Sequence, residues 1–134
     1  MRVWLYFSKE IIKKPVISDA IKKYDIDFNI LHAHITSSGG KILAEILGKR
    51  KKESIEYLKN RGIIVEIAKD VVRKDKEKCI DCGACVSICP VGAISIKDDW
   101  TVEIDDEKCV GCGCCVITCP MKAVNYYHKI FGTF

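Results

Sequence analysis

At 134 residues, 49% of them apolar, the chain is long enough for one ordinary domain or two very small ones and too hydrophobic for a disordered segment. It holds no uninterrupted apolar run of roughly eighteen residues, and its opening MRVWLYFSKE lacks the apolar core and small-residue cleavage site of a secretory signal, so the expected setting is the cytoplasm, with no membrane span. The formal charge of +4 counts nine cysteines as neutral and is a poor argument for nucleic acid, and the sharpest basic run, Lys49 to Lys52, reads as the solvated start of a helix.

Val3 to Phe7 is short, aromatic and β-branched, which predicts a strand. Pro15 suits the first turn of a helix, and Ile17, Ile21 and Tyr24 recur at helical spacing as its apolar stripe. Asp25 to Ser37 returns to period two and runs into a turn at Ser-Ser-Gly-Gly, with Lys41 to Leu47 as the antiparallel partner. His32 and His34 fall on one face of that strand, read as a polar edge of the sheet face opposite the helices; if Phe28 and Ile30 share the face, it becomes a surface for self-association. Gly48 breaks the partner strand, Lys51 to Arg61 is a helix with Ile55 and Leu58 inward and Gly62 capping it, and Ile63 to Ala68 closes with a strand. The order β-α-β-β-α-β is the ferredoxin-like split βαβ arrangement, two helices covering one face of a four-stranded sheet.

Every cysteine falls beyond this segment, between 79 and 119, which sets the expected domains at 1–69 and 70–134, an α+β chain in two parts. The charged stretch Arg73 to Lys78 reads as a connector. Shifting residues 75–96 by thirty positions lays DKEKCIDCGACVSICPVGAISI on DDEKCVGCGCCVITCPMKAVNY, so the second part is a duplication with an approximate twofold axis, each half giving a cysteine loop, a short helix and a strand. Between the halves, Ala93 to Ile96, Asp98-Asp99 and Trp100 to Ile104 read as a hairpin.

Cysteines in a chain without a secretory signal point to metal rather than to disulfides. Each half carries a CxxCxxCxxxCP run: Cys79, Cys82, Cys85 and Cys89-Pro90, then Cys109, Cys112, Cys115 and Cys119-Pro120. In such a run three cysteines wrap one [4Fe–4S] cubane and the fourth ligates the other. Cluster 1 is therefore expected on Cys79, Cys82, Cys85 and Cys119, and cluster 2 on Cys109, Cys112, Cys115 and Cys89. Two such clusters, each roughly −2 when oxidised, would bring the formal charge to about zero. A structural zinc site needs only four ligands and would leave half the set idle, and a thioredoxin-type CxxC belongs to a different fold. Gly83 and Gly113 are expected where backbone passes close to sulfide, Pro90 and Pro120 turn the chain, and Ile80, Val86, Ile88, Val110, Val116 and Ile117 are expected to exclude water. Cys114 stands where the first repeat has Ala84 and no cluster requires it; it is either a small buried residue or a reactive thiol beside a cluster. Tyr126, Tyr127, Phe131 and Phe134 give an aromatic tail that packs over its own domain or docks on a partner.

Residues 75–126 resemble the bacterial-type two-cluster ferredoxins, which implies low-potential electron transfer. Residues 1–68 resemble the NIL domain, through Asn29-Ile30-Leu31, the Gly39-Gly40 turn and the Ile/Leu strand after it. The combination resembles a family of small proteins of methanogens and other anaerobes. That resemblance implies a partner sulfurtransferase that makes homocysteine from aspartate semialdehyde and sulfide-derived sulfur, this chain supplying reducing equivalents. It also implies a small sulfur amino acid as a ligand of the NIL domain, and leaves the electron donor open. No Ser/His/Asp set or acid–base pair supports a catalytic site of the chain's own, so the expectation is an electron-transfer subunit.

Overall fold

The computed structural model describes residues 1–128, 132 and 133, and the chain divides into two compact units, the first Met1–Ala68 and the second beginning at Lys69. In the first, β1 (Arg2–Ser8), α1 (Val16–Tyr24), β2 (Asp27–Thr36), β3 (Gly39–Leu47), α2 (Lys51–Asn60) and β4 (Ile64–Ile67) follow the expected order. The sheet runs β2-β3-β1-β4 and is antiparallel throughout. Period-two alternation puts Val3 and Leu5 on one face, paired with Ala44 and Ile42, and there they pack with Ile46, Val16 and Ala20 of α1 and Ile55 and Leu58 of α2. Each of these is at most 7% exposed.

Four details differ from the expectation. On α1 the buried line is Val16 and Ala20, one turn of small side chains that brings the helix close to the sheet, while Ile17, Ile21 and Tyr24 flank it half-buried. The β2–β3 turn is Ser37-Ser38 alone, because Gly39 already pairs with both Thr36 and Ser8; a Cβ on Gly39 would lie 2.7 Å from the Phe7 carbonyl oxygen. Glycine serves a close backbone approach here, with φ 141°. Third, β2 shifts register between Ile30 and His32, leaving Leu31 as the extra residue of a β-bulge. Phe28 and Ile30 therefore pair with Ile46 and Ala44 on the helix side, whereas His32 and His34 pair with Leu43 and Lys41 on the other. The grouping that suggested self-association is split between two faces. Fourth, the face opposite the helices is not simply polar, since Trp4 and Leu43 on it are 1% and 0% exposed.

The second unit contains β5 (Val72–Lys74), α3 (Ala84–Ile88), β6 (Ile94–Ile96), β7 (Val102–Ile104), α4 (Cys114–Thr118), β8 (Val124–His128) and β9 (Gly132–Thr133). Arg73 and Lys74 are thus part of a strand rather than a connector, anchored by the buried pair Val71-Val72. The thirty-residue shift extends to them, since it lays β5 on β7 and β6 on β8. The two repeats are interlocked: β5, which leads into the first run, pairs with β8 after the second, and β7, which leads into the second run, pairs with β6 after the first. Asp75 N–H donates to Ala123 C=O and Asp105 N–H to Ala93 C=O, each at 2.7 Å. In the β6–β7 hairpin the second strand begins at Val102, because Trp100 has φ 66° in the turn and is 78% exposed.

Candidate iron-sulfur centres

Each cysteine run starts from an aspartate whose carbonyl accepts the first cysteine's N–H, Asp75 for Cys79 at 3.0 Å and Asp105 for Cys109 at 3.2 Å. The chain then wraps through a glycine with φ 77° at Gly83 and 78° at Gly113, each capping a five-residue helix that carries the third cysteine. L-residues with a Cβ disfavour that conformation. The fourth cysteine follows in extended backbone, and its sulfur accepts an amide hydrogen bond from the residue four further on, Ala93 to Cys89 at 3.2 Å and Ala123 to Cys119 at 3.3 Å. Asp81 N–H likewise approaches Cys79 Sγ at 3.4 Å. Such donors favour thiolate over thiol and tune a bound cluster.

The sulfurs gather across the runs. Cys79, Cys82, Cys85 and Cys119 line one apolar cavity with Gly83, Met121 and Val124. Burial raises the Cys85 thiol, helped by Cys119, Cys79 and Cys82 beside it. Burial also raises Cys109, with Cys112, Asp106 and Cys89 as charged neighbours, and pushes Cys115 up to about 11, with Cys109 and Cys112 adding to it. At Cys119 burial acts upward, but amides of Ala123, Met121, Val124 and Lys122 outweigh it and hold the thiol below its ordinary value. Thiols that raise one another in this way need cationic iron before all of them can ionise. Among the described residues no three His, Cys, Asp or Glu side chains converge to hold a single metal ion. A cubane asks for something else, one thiolate on each of four irons. The donor chemistry and the cavity fit [4Fe–4S] clusters, which when bound supply one-electron redox chemistry.

Water exclusion falls in part to other residues than expected. Ile88 and Ile117 are 43% and 79% exposed, and Ile80, though 61% exposed, lines the cavity of Cys79, Cys82, Cys85 and Cys119, while Ala93, Ile94, Val102, Ala123 and Val124 are buried. The signal for these lies in the repeat itself, since an Ala-Ile and an Ala-Val follow the fourth cysteines at the same offset. Val86, Val110 and Val116 are half-buried.

The halves also differ in ways that the spacing does not disclose. At the position where the second loop has Gly111 (φ 72°), the first has Asp81 (φ 54°). The Asp81 carboxyl is held below the usual range, chiefly by the Val102 N–H, with Cys79 and Lys74 contributing. Over the second loop lies Tyr126, whose hydroxyl donates to Gly111 C=O at 3.0 Å, and burial with the nearby cysteines pushes its pKa up to about 12. Cys114 is half-buried beside Cys112, which raises its thiol, with Cys89 also near. Tyr127 receives the Arg73 guanidinium 3.4 Å from its ring centroid. Tyr126 and Tyr127 thus pack within their own unit; Phe131 and Phe134 lie outside the described residues. No helix among the described residues is long and apolar enough to cross a membrane.

Fold and sites together define a two-cluster iron–sulfur electron-transfer protein built on a ferredoxin-like first unit. Family models agree, the NIL domain matching residues 1–67 and a 4Fe-4S dicluster domain residues 78–123. The chain is 35% identical over 102 residues to the L-aspartate semialdehyde sulfurtransferase iron-sulfur subunit of Methanosarcina acetivorans, covering 76% of this chain and 78% of that one. It is 36% identical over 103 residues to the protein of the same name from Methanocaldococcus jannaschii, covering 75% and 78%. The chain belongs to this family of iron–sulfur subunits. Its first half also matches a methionine import ATP-binding protein of Cupriavidus pinatubonensis, 36% identical over 51% of this chain and 22% of that one. The C-terminal domain of an ABC transporter ATP-binding protein from Enterococcus faecalis is similar at TM-score 0.47 and 24% identity, over 51% of this chain and 82% of that one.

Proposed function

We propose that Cys79, Cys82, Cys85 and Cys119 hold cluster 1 and Cys109, Cys112, Cys115 and Cys89 hold cluster 2, and that the protein supplies electrons, in the cytoplasm, to a sulfurtransferase that makes homocysteine from aspartate semialdehyde and sulfide. The observation that carries the ligand sets is the cavity that Cys119 shares with the three cysteines of the other run. The partner reading rests on the relatives' names. The chemistry is balanced: an aldehyde, hydrogen sulfide, two protons and two electrons give a thiol and water, and two one-electron centres match that count.

Purified anaerobically with its clusters and mixed with a candidate sulfurtransferase, aspartate semialdehyde, sulfide and a chemical reductant, the protein should be required for homocysteine to form. Homocysteine made equally well when this chain is omitted would defeat the proposal. A second reading gives the first unit a small sulfur amino acid as ligand, favoured by its match to a methionine import protein and by an apolar groove of about 330 Å³ lined by Phe7, Val16, Ile17, Ile21, Ile35 and Ile42. Calorimetric titration with methionine and with homocysteine tests it, and no heat from either would remove it.

A further inference from the structure

The duplicated half offers an internal control, because each residue near one cluster has a counterpart thirty positions away. On the cluster 1 side Asp81 Oδ1 accepts from Val102 N–H at 3.0 Å, lies 3.6 Å from Cys79 Sγ and is 3.7 Å from Lys74 Nζ. Lys74 Nζ in turn donates to Val102 C=O, so the two charged side chains hold the N–H and the C=O of one residue of β7. Lys74 is 18% exposed and lines the same cavity as Cys79, Cys82, Cys85 and Cys119. The counterparts in the other repeat are Gly111 for Asp81 and Ile104 for Lys74, neither of them charged.

A fixed charge beside a thiolate ligand shifts a cluster's potential, negative charge favouring the oxidised form and positive charge the reduced one. Both charges here stand beside one ligand set, held by hydrogen bonds that leave them little freedom. We propose that the Lys74–Asp81 pair sets the potential of cluster 1 alone and so holds the two clusters at separate potentials. Each residue acts on the cluster by position and charge, not as a ligand. This rests on the ligand assignment above, in which Cys79 belongs to cluster 1.

The test is an anaerobic redox titration of the full chain with both clusters loaded, followed by electron paramagnetic resonance, for the unaltered protein, Asp81→Asn and Lys74→Met. Asparagine keeps an acceptor for Val102 N–H, and methionine keeps the apolar stem where the other repeat has isoleucine. Asp81→Asn should raise one of the two midpoints, Lys74→Met should lower the same one, and the second midpoint should stay in place in both. At full loading, midpoints that do not move, or two midpoints that move together, would overturn the proposal. Either variant suffices if the other fails to hold iron. Unaltered protein that binds well short of about eight irons would instead sink the ligand assignment.

Discussion

In the first unit a four-stranded sheet and two helices of nine and ten residues close over eleven buried apolar side chains, whereas in the second the helices have five residues and β5, β6 and β7 only three. The side chains buried around the cysteine loops are small, chiefly Ala93, Ala123, Val72, Val102 and Val124. Apolar burial of that extent does not offset the conformational entropy of ordering the loops. One half is thus held by a core and the other by what its cysteines bind, so they should fail separately.

Stripping iron with a chelator under anaerobic conditions is the largest expected effect. Amide-exchange protection in the second unit should collapse while β1, β3 and α2 keep theirs, because binding energy of the clusters is folding energy for that unit alone. Protection retained around Cys79 to Ile96 without iron would break the comparison. The opposite experiment is Leu58→Ala, which empties a fully buried position in the first core and should cost about 2–5 kcal/mol there. Its iron content should be unchanged, and loss of iron in that variant would show that the two halves are not independent.

Within the second half, the proposed crossing of ligands predicts which losses go together. Cys119→Ser should lose the same cluster as Cys79→Ser, and Cys89→Ser the same one as Cys109→Ser, each variant keeping about half its iron. The measurement is the resonance spectrum of the surviving cluster. If Cys119→Ser instead matches Cys109→Ser, the runs are not crossed.

The proposed crossing is an expectation of the sequence alone, since duplication and a fixed CxxCxxCxxxCP spacing are literal features of the chain. The first unit was legible as well, because strands at period two and helices at 3.6 survive in its apolar pattern. The Leu31 bulge was not: nothing in Asn29-Ile30-Leu31 announces it, and it is decided by how β2 meets β3. For the same reason Phe28 and Ile30, which unbroken alternation would put on the face of His32, lie on the other face. Asp81 and Tyr126 were missed as neighbours of the clusters because each acts through a partner fifteen or more positions away, Val102 and Gly111. Exposure differs from the expectation at Ile88 and Ile117, where apolar type suggests burial although five-residue helices have too little surface to cover both faces.

Tyr126 gives the next smaller effect. A Cβ on Gly113 would meet the Tyr126 hydroxyl at 2.0 Å, whereas one on Gly83 would meet only Ile96 Cδ1 at 3.3 Å. Both positions have positive φ, so both alanine variants carry a backbone cost of about 1 kcal/mol, and Gly113→Ala must also displace a ring. Thermal unfolding of the loaded protein should show Gly113→Ala as the less stable of the two. Equal midpoints would mean that Tyr126 swings away freely and does not distinguish the loops.

The smallest effect belongs to the first unit and to pH. His32 lies edge-on to Trp4, ring centroids 6.3 Å apart, and its pKa is lowered by burial first, then by Lys41 and His34. A histidine whose folded-state pKa lies below its unfolded value binds more protons when unfolded, so stability rises with pH across that window. The first unit should therefore lose a little stability as pH falls from the ordinary histidine value of 6.5 downward. The position is only partly buried and solvent screens much of the effect. His32→Asn should flatten this part of the profile in denaturant titrations followed by Trp4 fluorescence, and a slope unchanged by the substitution would place the pH dependence elsewhere.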